Sequence, residues 1–369
     1  MQHPIKLLVI SDYRDYLTSR SEAELLIGLQ KEGFLITVMT HPNTPYEEKF
    51  ALSGIRVLPY HPDKKRDPSA IQKIRTELIS GNYQLLLLFN SLASTNGIPA
   101  AKKLPVKVIL YRGYTGNIHW YDFTLYFKYF HPRVDSIFCI NSTIESIFRR
   151  NKLFGPHKAV TIIKGHNPSW YESVRPAVLT DFGIPEKSFL ITCVANVRPM
   201  KGIPVLLKAI QKFPPGLPVH ILFIGKGFDQ PSIQNMIQKS GYARQVHCIG
   251  FINDPLPLVA SSSVFVLPSV KGEGLSKSTI EAMSLGVAPV ITSIPGNTDL
   301  VEHEKSGLLV APGNADAMSE AIIRLYHDPG LRERLAMAAR KRMQEHFHID
   351  KTIQGLKAHF LMLLKQNPQ

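Results

Sequence analysis

Short apolar runs of strand length recur along the first half of the chain, separated by stretches whose apolar positions have helical spacing. The runs are Lys6–Ile10, Leu35–Met39, Gly54–Leu58, Leu85–Phe89, Val106–Leu110 and Ser136–Ile140. Helix candidates such as Ser21–Lys31 and Ser69–Ile79 lie between them. Nearly continuous apolar strands that alternate with helices predict a parallel sheet covered on both faces.

The same alternation starts again after a polar stretch, Glu172–Lys187. The second set of strands is Phe189–Ala195, Val219–Ile224, Val246–Ile249, Val264–Leu267, Ala288–Thr292 and Gly307–Val310. Its helix candidates are Lys201–Lys212, Pro231–Ser240, Ser276–Leu285 and Ala315–His327. The chain is therefore predicted to be α/β, with an N-terminal Rossmann-like domain over residues 1–171 and a C-terminal one over residues 172–348. An amphipathic helix in 349–369 is expected to pack back toward the first domain.

Ligands bind at the carboxyl ends of parallel strands, so a cleft between two such domains is the expected active site.

The composition, 44% hydrophobic and 20% charged, is typical of a globular protein. Three cysteines far apart predict no disulfide framework and favour a reducing cytoplasm. No apolar stretch has the length of a spanning helix or a signal peptide.

The net charge of +14 is the feature of the composition that bears on partners. Basic residues gather at Lys64-Lys65-Arg66, Lys73-Arg75, Lys102-Lys103-Lys107 and Arg149-Arg150-Lys152. Such a surface attracts the phosphates of nucleic acid, anionic lipid or a phosphorylated saccharide, and a merely solvated basic face is an equal alternative. Because no nucleic-acid-binding module accompanies the charge, we expect peripheral contact with an anionic membrane rather than nucleic acid.

The segment Val264–Gly286 holds the strongest candidate chemistry. A buried strand ends at Pro268, a glycine-bearing loop follows, and a helix begins near Ser276. Glu273 lies on the loop and Glu281 lies in the helix, with seven residues between them. Free N–H groups at a helix start can bind phosphate or sugar hydroxyls, and carboxylates accept from vicinal hydroxyls. Taken singly, either glutamate could instead be a partner of the helix dipole or part of a solvated face.

This segment closely resembles the E-x7-E signature of glycosyltransferase family 4, which has the GT-B fold. The resemblance extends to ITCVANVRPMKGIPVLLKAI (191–210), ILFIGKG (221–227), HCIGF (247–251) and IPGNTDLVEHEKSGLLVAPGNADAMSEAI (294–322). It is strong over 189–345 and weak in the N-terminal half. It implies a retaining glycosyltransferase with a UDP- or GDP-sugar donor and a saccharide or lipid-linked saccharide acceptor. A role in cell-envelope polysaccharide or lipopolysaccharide synthesis, at the inner face of the cytoplasmic membrane, is the corresponding expectation.

The resemblance also implies residue roles. Glu273 would bind the donor sugar and stabilise charge at its anomeric carbon, and Glu281 would bind the ribose. The amides of Gly274, Leu275 and Ser276 would hold the sugar and the distal phosphate. Arg198 and Lys201 would hold the diphosphate and neutralise the leaving group.

Metal independence follows from a different pattern. No two aspartates in the chain are separated by a single residue, so the D-x-D element of metal-using glycosyltransferases is missing. With cations and helix amides available for the diphosphate, neither a metal nor a cofactor is predicted.

The N-terminal half departs from the family. Thr18-Ser19-Arg20-Ser21 stands where a glycine pair is usual, so Arg20 supplies a charge there or Ser19 or Ser21 caps a helix. In the family a histidine usually follows the strand that matches Val108–Tyr111, but this chain has Arg112 there and His119 farther on. His119 is predicted as a catalytic residue, with Arg112 as the alternative.

The aromatic run at 120–130 is either core or a membrane-facing surface. Two other functions stay open: a GT-B epimerase or phosphorylase, and a non-catalytic nucleotide- or polyanion-binding module.

Overall fold

The computed structural model describes residues 4–116, 122–150 and 158–366, which form two compact units. The first unit comprises Met1–Gly113, Asn117–Gly165 and Ile349–Gln369. The second comprises Tyr114–Gly116 and His166–His348. The chain passes to the second unit at His166, somewhat before the predicted boundary at residue 172.

Each unit contains one parallel sheet. The strands are β1 Lys6–Ile10, β2 Leu35–Thr40, β3 Arg56–Pro59, β4 Leu85–Leu88, β5 Lys107–Arg112, β6 Ser136–Cys139, β7 Ala159–Thr161, β8 Phe189–Val194, β9 Val219–Ile224, β10 Val246–Cys248, β11 Val264–Leu267, β12 Ala288–Thr292 and β13 Leu308–Val310. The first sheet has the order β3-β2-β1-β4-β5-β6-β7 and the second β10-β9-β8-β11-β12-β13. All pairs are parallel, for example Leu7 opposite Leu85 and Val264 opposite Ile191. The strand order reverses beside the first strand of each sheet, as in Rossmann-like folds, and the two predicted doubly wound domains are confirmed.

Helices connect the strands. They are α1 Tyr16–Lys31, α2 Glu47–Leu52, α3 Pro68–Gly81, α4 Ser91–Ala100, α5 Ser142–Arg149, α6 Ser169–Glu172, α7 Ile203–Ile210, α8 Pro231–Gln238, α9 Leu256–Ala260, α10 Lys277–Ser284, α11 Asn297–Leu300, α12 Ala315–His327, α13 Pro329–His346 and α14 Ile349–Lys365. None of the helices in the described ranges is both long and apolar enough to cross a membrane.

The start of α1 corrects one sequence prediction. Asp15, not Ser19 or Ser21, is the N-cap, and its side chain accepts from the Thr18 amide at 2.8 Å. Thr18–Ser21 therefore belongs to the helix rather than to a phosphate-facing loop, and Ser19 Oγ bonds back to the Asp15 carbonyl.

The last helix, α14, packs on α1 and the first sheet. Gly28 permits this packing, because a Cβ there would lie 2.2 Å from Cδ1 of Ile353. Phe360 meets Phe34 edge to face, with centroids 5.8 Å apart. Nε2 of His359 lies 2.7 Å from Oγ of Ser136, and His359 is only 6% exposed. The imidazole is thus enclosed in the core of the first unit.

Removing the His359 imidazole is expected to flatten the pH dependence of stability. Burial lowers the pKa of His359 from 6.5 to about 4, so between these values the unfolded chain binds the proton and the folded chain does not. This contribution to the free energy of unfolding is present above pH 6.5 and falls by about 3 kcal/mol as the pH drops to about 4. Denaturant titrations across that range should show a shallower slope for His359→Gln. His327→Gln, at an exposed histidine, serves as the control. Equal slopes for wild type and His359→Gln would contradict the assignment.

Candidate functional site

The loops that follow β8 and β11 meet at the carboxyl edge of the second sheet, where the strand order reverses. The amide of Val270 donates to the carbonyl of Met200 at 2.8 Å. Gly202 has a φ of +66°, and a Cβ there would lie 2.0 Å from the carbonyl oxygen of Pro268. Only glycine allows this approach of the two backbones, so residue 202 fixes the start of α7 against the end of β11.

Glu273 is the buried carboxylate of this edge, with 6% of its surface exposed. Its Oε1 accepts from Lys201 Nζ at 2.6 Å and from Ser269 Oγ at 2.5 Å. A carboxylate removed from water is stable only when a cation and hydrogen bonds replace its hydration. The pair therefore ties the loop after β8 to the loop after β11. Oγ1 of Thr115, from the short Tyr114–Gly116 segment of the same unit, donates to the Glu273 carbonyl at 3.0 Å.

A second layer of buried polar groups supports this loop. Thr292, at the end of β12, donates through Oγ1 to the Ser269 carbonyl. Asn297, fully buried, donates through Nδ2 to the Thr292 carbonyl at 3.0 Å. Gly296 has a φ of +88°, and a Cβ there would lie 1.8 Å from the carbonyl oxygen of Gly274. The loop carrying Glu273 thus rests directly on the turn after β12.

Glu281 occupies a different environment, inside α10. The residue is 7% exposed, and its carboxylate pairs with Lys277 Nζ at 2.6 Å. Ser276 caps this helix, since its Oγ accepts from the Thr279 amide at 3.4 Å. The two glutamates have different cationic partners, which argues against an acid/base couple.

The predicted site residues are only partly brought together. Lys201, Glu273 and the buried Gly274 and Ser276 share one cluster of loops, with Leu275 half-buried beside them. Arg198 is exposed in the same turn as Lys201, and no carboxylate in the described part of the chain pairs with it. His119 lies outside the described residues. Arg112 ends β5 in the first unit, where its NH1 group lies 3.3 Å from the Tyr129 hydroxyl.

Sequence reasoning missed the groups that hold Glu273 in place. Ser269, Thr292 and Asn297 are buried and polar. The only signal for them in the sequence is position, since Ser269 and Thr292 lie at or just after the end of an apolar strand and Asn297 follows Gly296. Thr115 carried no signal, because its partner is 158 positions away. No group of three or more His, Cys, Asp or Glu side chains that could hold a metal ion occurs among the residues described.

The ends of β9 and β10 border the same edge. The Gly225 amide donates to the Gly250 carbonyl at 2.8 Å, and a Cβ on Gly225 would lie 2.2 Å from the Ala195 carbonyl oxygen. Phe251 is 57% exposed, and Lys226 Nζ lies 5.1 Å from the centre of its ring. This corner offers an aromatic face beside a cation.

Adding one methyl group at residue 296 is expected to disturb this site more than the same change elsewhere. Gly296→Ala should lower the free energy of unfolding by about 2–4 kcal/mol, from overpacking together with a left-handed alanine. Gly216→Ala is the matched control, because Gly216 has a φ of +77° with nothing within 4 Å of its Cβ position. The control should lose only about 1 kcal/mol. Equal losses in chemical denaturation would show that the Gly296–Gly274 contact contributes nothing.

The segment that contains these loops is similar to known proteins. Residues 175–342 match the family described as Glycosyl transferases group 1. An uncharacterized glycosyltransferase of Haemophilus influenzae is 25% identical over 92% of this chain and 95% of its own length. An uncharacterized glycosyltransferase of Methanocaldococcus jannaschii is 28% identical over 52% of this chain. The capsular polysaccharide biosynthesis glycosyltransferase CapM of Staphylococcus aureus is 28% identical over 49% of this chain. The chain matches only about half the length of these last two relatives, 51% and 48%.

Solved structures agree on the fold. A glycosyltransferase of Rickettsia africae aligns with a TM-score of 0.83 at 16% identity, over 99% of this chain and all of its own. HepE of Anabaena, solved in complex with UDP, aligns with a TM-score of 0.79 at 17% identity, over 97% of this chain and 100% of its own. The chain is thus similar to glycosyltransferases over its second half, and the solved structures share its fold of two Rossmann-like units.

Proposed function

We propose that this chain is a metal-independent, retaining glycosyltransferase of the family 4 type that transfers a sugar from a nucleotide-diphosphate donor, with UDP-sugars favoured over GDP-sugars. The observation that carries the proposal is the pair of the buried Glu273 with the half-buried Lys201, 2.6 Å apart, just before α10 and inside the matched segment. A buried carboxylate beside a cation and a helix start suits a ligand with both hydroxyls and phosphates.

Glu273 is assigned to the donor sugar. Oε1 already accepts two hydrogen bonds, from Lys201 and Ser269, which orient the carboxylate. The remaining acceptor capacity can receive sugar hydroxyls, and its negative charge stabilises positive charge that develops at the anomeric carbon.

The diphosphate is assigned to Lys201, Arg198 and the backbone amides that lead into α10. Lys201 is 23% exposed in its side chain, so its ammonium can contact a phosphate while it stays with Glu273. Arg198, exposed in the same turn, can take two oxygens at once. The amides of Gly274, Leu275 and Ser276 would hold the distal phosphate and the sugar. With this positive charge at hand, the leaving group needs no metal ion for neutralisation.

Glu281 is assigned to the ribose. Lys277 orients its carboxylate, and a carboxylate suits the paired hydroxyls that a ribose presents. The nucleobase would lie near Phe251, where an exposed ring and Lys226 offer stacking and a cation. The choice of UDP rests on a structural neighbour, since HepE of Anabaena has been solved with UDP and with UDP-glucose.

Retention of the anomeric configuration is assigned to front-face attack: the acceptor oxygen approaches the anomeric carbon on the same face from which the leaving group departs. The bond from the acceptor oxygen to the anomeric carbon forms as the bond to the phosphate oxygen breaks, and the acceptor's proton passes to that phosphate oxygen. In the described part of the chain Glu273 forms hydrogen bonds with Lys201, Ser269 and Thr115, none of them a carboxylate. This supports a route without a covalent sugar–enzyme intermediate.

The acceptor is assigned to cell-envelope glycans, free or lipid-linked, handled at the inner face of the cytoplasmic membrane. CapM, a relative named for capsular polysaccharide biosynthesis, supports this class. His119 stays a prediction as a catalytic residue.

Loss of the Glu273 carboxylate is expected to abolish most turnover. Glu273→Gln keeps the size and should lower kcat by about 10²–10³-fold, because stabilisation of the transition-state charge is lost. Glu320→Gln, at an exposed glutamate on α12, is the control and should leave kcat unchanged. Steady-state transfer from a radiolabelled UDP-sugar measures both, and near-normal turnover of Glu273→Gln would remove its catalytic role.

Loss of the Glu281 carboxylate is expected to act on nucleotide binding. Glu281→Ala should weaken UDP binding about tenfold, the value of one or two hydrogen bonds to a charged group. Titration calorimetry with UDP compares it with Glu320→Ala. A wild-type affinity for Glu281→Ala would place the ribose elsewhere.

A donor panel separates the proposal from its rivals. Purified protein is incubated with UDP-, GDP-, ADP- and CMP-sugars, and release of nucleotide is measured with and without envelope glycans. Stimulated release of UDP with sugar transfer is the expected result. An epimerase would convert the sugar without release of the nucleotide, a phosphorylase would require inorganic phosphate, and a binding module would bind tightly without turnover.

A further inference from the structure

The carboxyl edge of the first sheet gathers cations around the start of α4. Lys65 and Arg66 follow β3, and Lys128 follows a short 3-10 helix, Phe123–Phe127. Lys128 Nζ donates to Oγ of Ser91, the first residue of α4, at 2.6 Å. Two loops far apart in sequence thus bring their cations to one edge of the sheet, where doubly wound folds bind ligands.

These charges lack acidic partners. Within residues 4–116, 122–150 and 158–366, no carboxylate forms an ion pair with Lys65, Arg66 or Lys128. The nearest acids in sequence bond to the backbone: Asp67 accepts from the Ser69 amide at 3.0 Å, and Asp122 accepts from the Thr124 amide at 2.9 Å. The charge of Asp122 acts on Lys128 without an ion pair between them.

The pKa of Lys128 reflects its burial and the positive charges around it. Burial, and then the nearby cations Lys65 and Arg112, lower the pKa of Lys128. Repulsion among cations is relieved when an anion enters between them. The start of α4 adds the positive end of a helix dipole to the same place.

An aromatic surface adjoins the cations. Phe123 is 70% exposed and Phe127 40%, and their ring centroids are 5.0 Å apart, edge to face. The guanidinium carbon of Arg66 lies 4.0 Å from the centre of the Phe127 ring, which holds the cation in place. An exposed ring can receive the apolar C–H face of a pyranose, and the adjoining cations can receive an anionic substituent of the same sugar.

We propose that Lys65, Arg66 and Lys128 bind a phosphate group carried by the saccharide acceptor, with a sugar ring of that acceptor packed on Phe123. The inference rests on the proposed function and deepens it, since it names a phosphorylated glycan as the acceptor class. A bilayer surface would also meet exposed rings and cations. The saccharide is favoured because Lys128 is half-buried against Ser91 at the ligand-binding edge of the sheet.

The test uses the full chain with saturating UDP, and glucose 6-phosphate and glucose as probes in titration calorimetry. Glucose 6-phosphate should bind and glucose should not. The charge-reversed variant Lys65→Glu with Lys128→Glu should weaken that binding by about tenfold or more, the value of one charge-assisted hydrogen bond. Lys103→Glu, an exposed lysine just before β5 and hence at the opposite edge of the sheet, is the matched control and should bind as wild type does. If charge reversal prevents folding, Lys65→Gln with Lys128→Gln gives the same comparison.

Two results would overturn the proposal. One is equal binding of glucose 6-phosphate by the wild type and the double variant. The other is capture of the protein by phosphatidylglycerol vesicles, lost in the double variant, with no binding of glucose 6-phosphate, which would assign the patch to a membrane surface. Failure of the proposed function looks different: glucose 6-phosphate binds, but no nucleotide sugar is bound or turned over.

Discussion

A carboxylate that is only 6% exposed must be paired, and Glu273 meets this requirement through Lys201 and Ser269. The requirement joins the loop after β8 to the loop after β11, two strands that lie next to each other where the order of the second sheet reverses. Thr292 donates to the Ser269 carbonyl, and Asn297 in turn donates to the Thr292 carbonyl. The result is a charged pair fixed by backbone and side-chain contacts before any ligand arrives, which is how preorganised electrostatic sites work.

Glycine makes this arrangement possible. Backbone carbonyls press against Gly202 and Gly296 at distances where no Cβ fits. Both glycines have positive φ, so each supplies a turn and a close approach together. In the second unit Lys201 is paired with Glu273, whereas Lys65, Arg66 and Lys128 of the first unit form no ion pair with a carboxylate of the described ranges.

The strands were the most predictable part of the fold. Val219–Ile224, Val264–Leu267 and Ala288–Thr292 have the observed bounds, because buried parallel strands are short apolar runs between turn residues. The start of α1 was wrong, since Asp15 was not recognised as its cap. Helix α13 was not predicted, because its buried Leu331, Leu335, Ala339 and Met343 are isolated among charged residues.

The site was predictable in kind but not in geometry. The spacing of Glu273 and Glu281 identified the loop and helix that carry them. The partnership of Glu273 with Lys201 joins residues 72 positions apart, and that of Glu273 with Thr115 joins residues 158 apart. Local sequence pattern contains no information on such contacts. Lys65 and Arg66 were visible as part of a basic run, whereas Lys128 was in none of the runs, because two separate loops contribute these cations.

The central claim is that the loops after β8 and β11 are the donor site. Hydrogen–deuterium exchange of the full chain, with and without saturating UDP-glucose, tests it most directly. The account predicts that the donor slows exchange in residues 196–203 and 268–281, including the amides of Gly274, Leu275 and Ser276, because ligand contacts stabilise them against opening. Unchanged exchange in both segments, under conditions where calorimetry shows the donor bound, would contradict it.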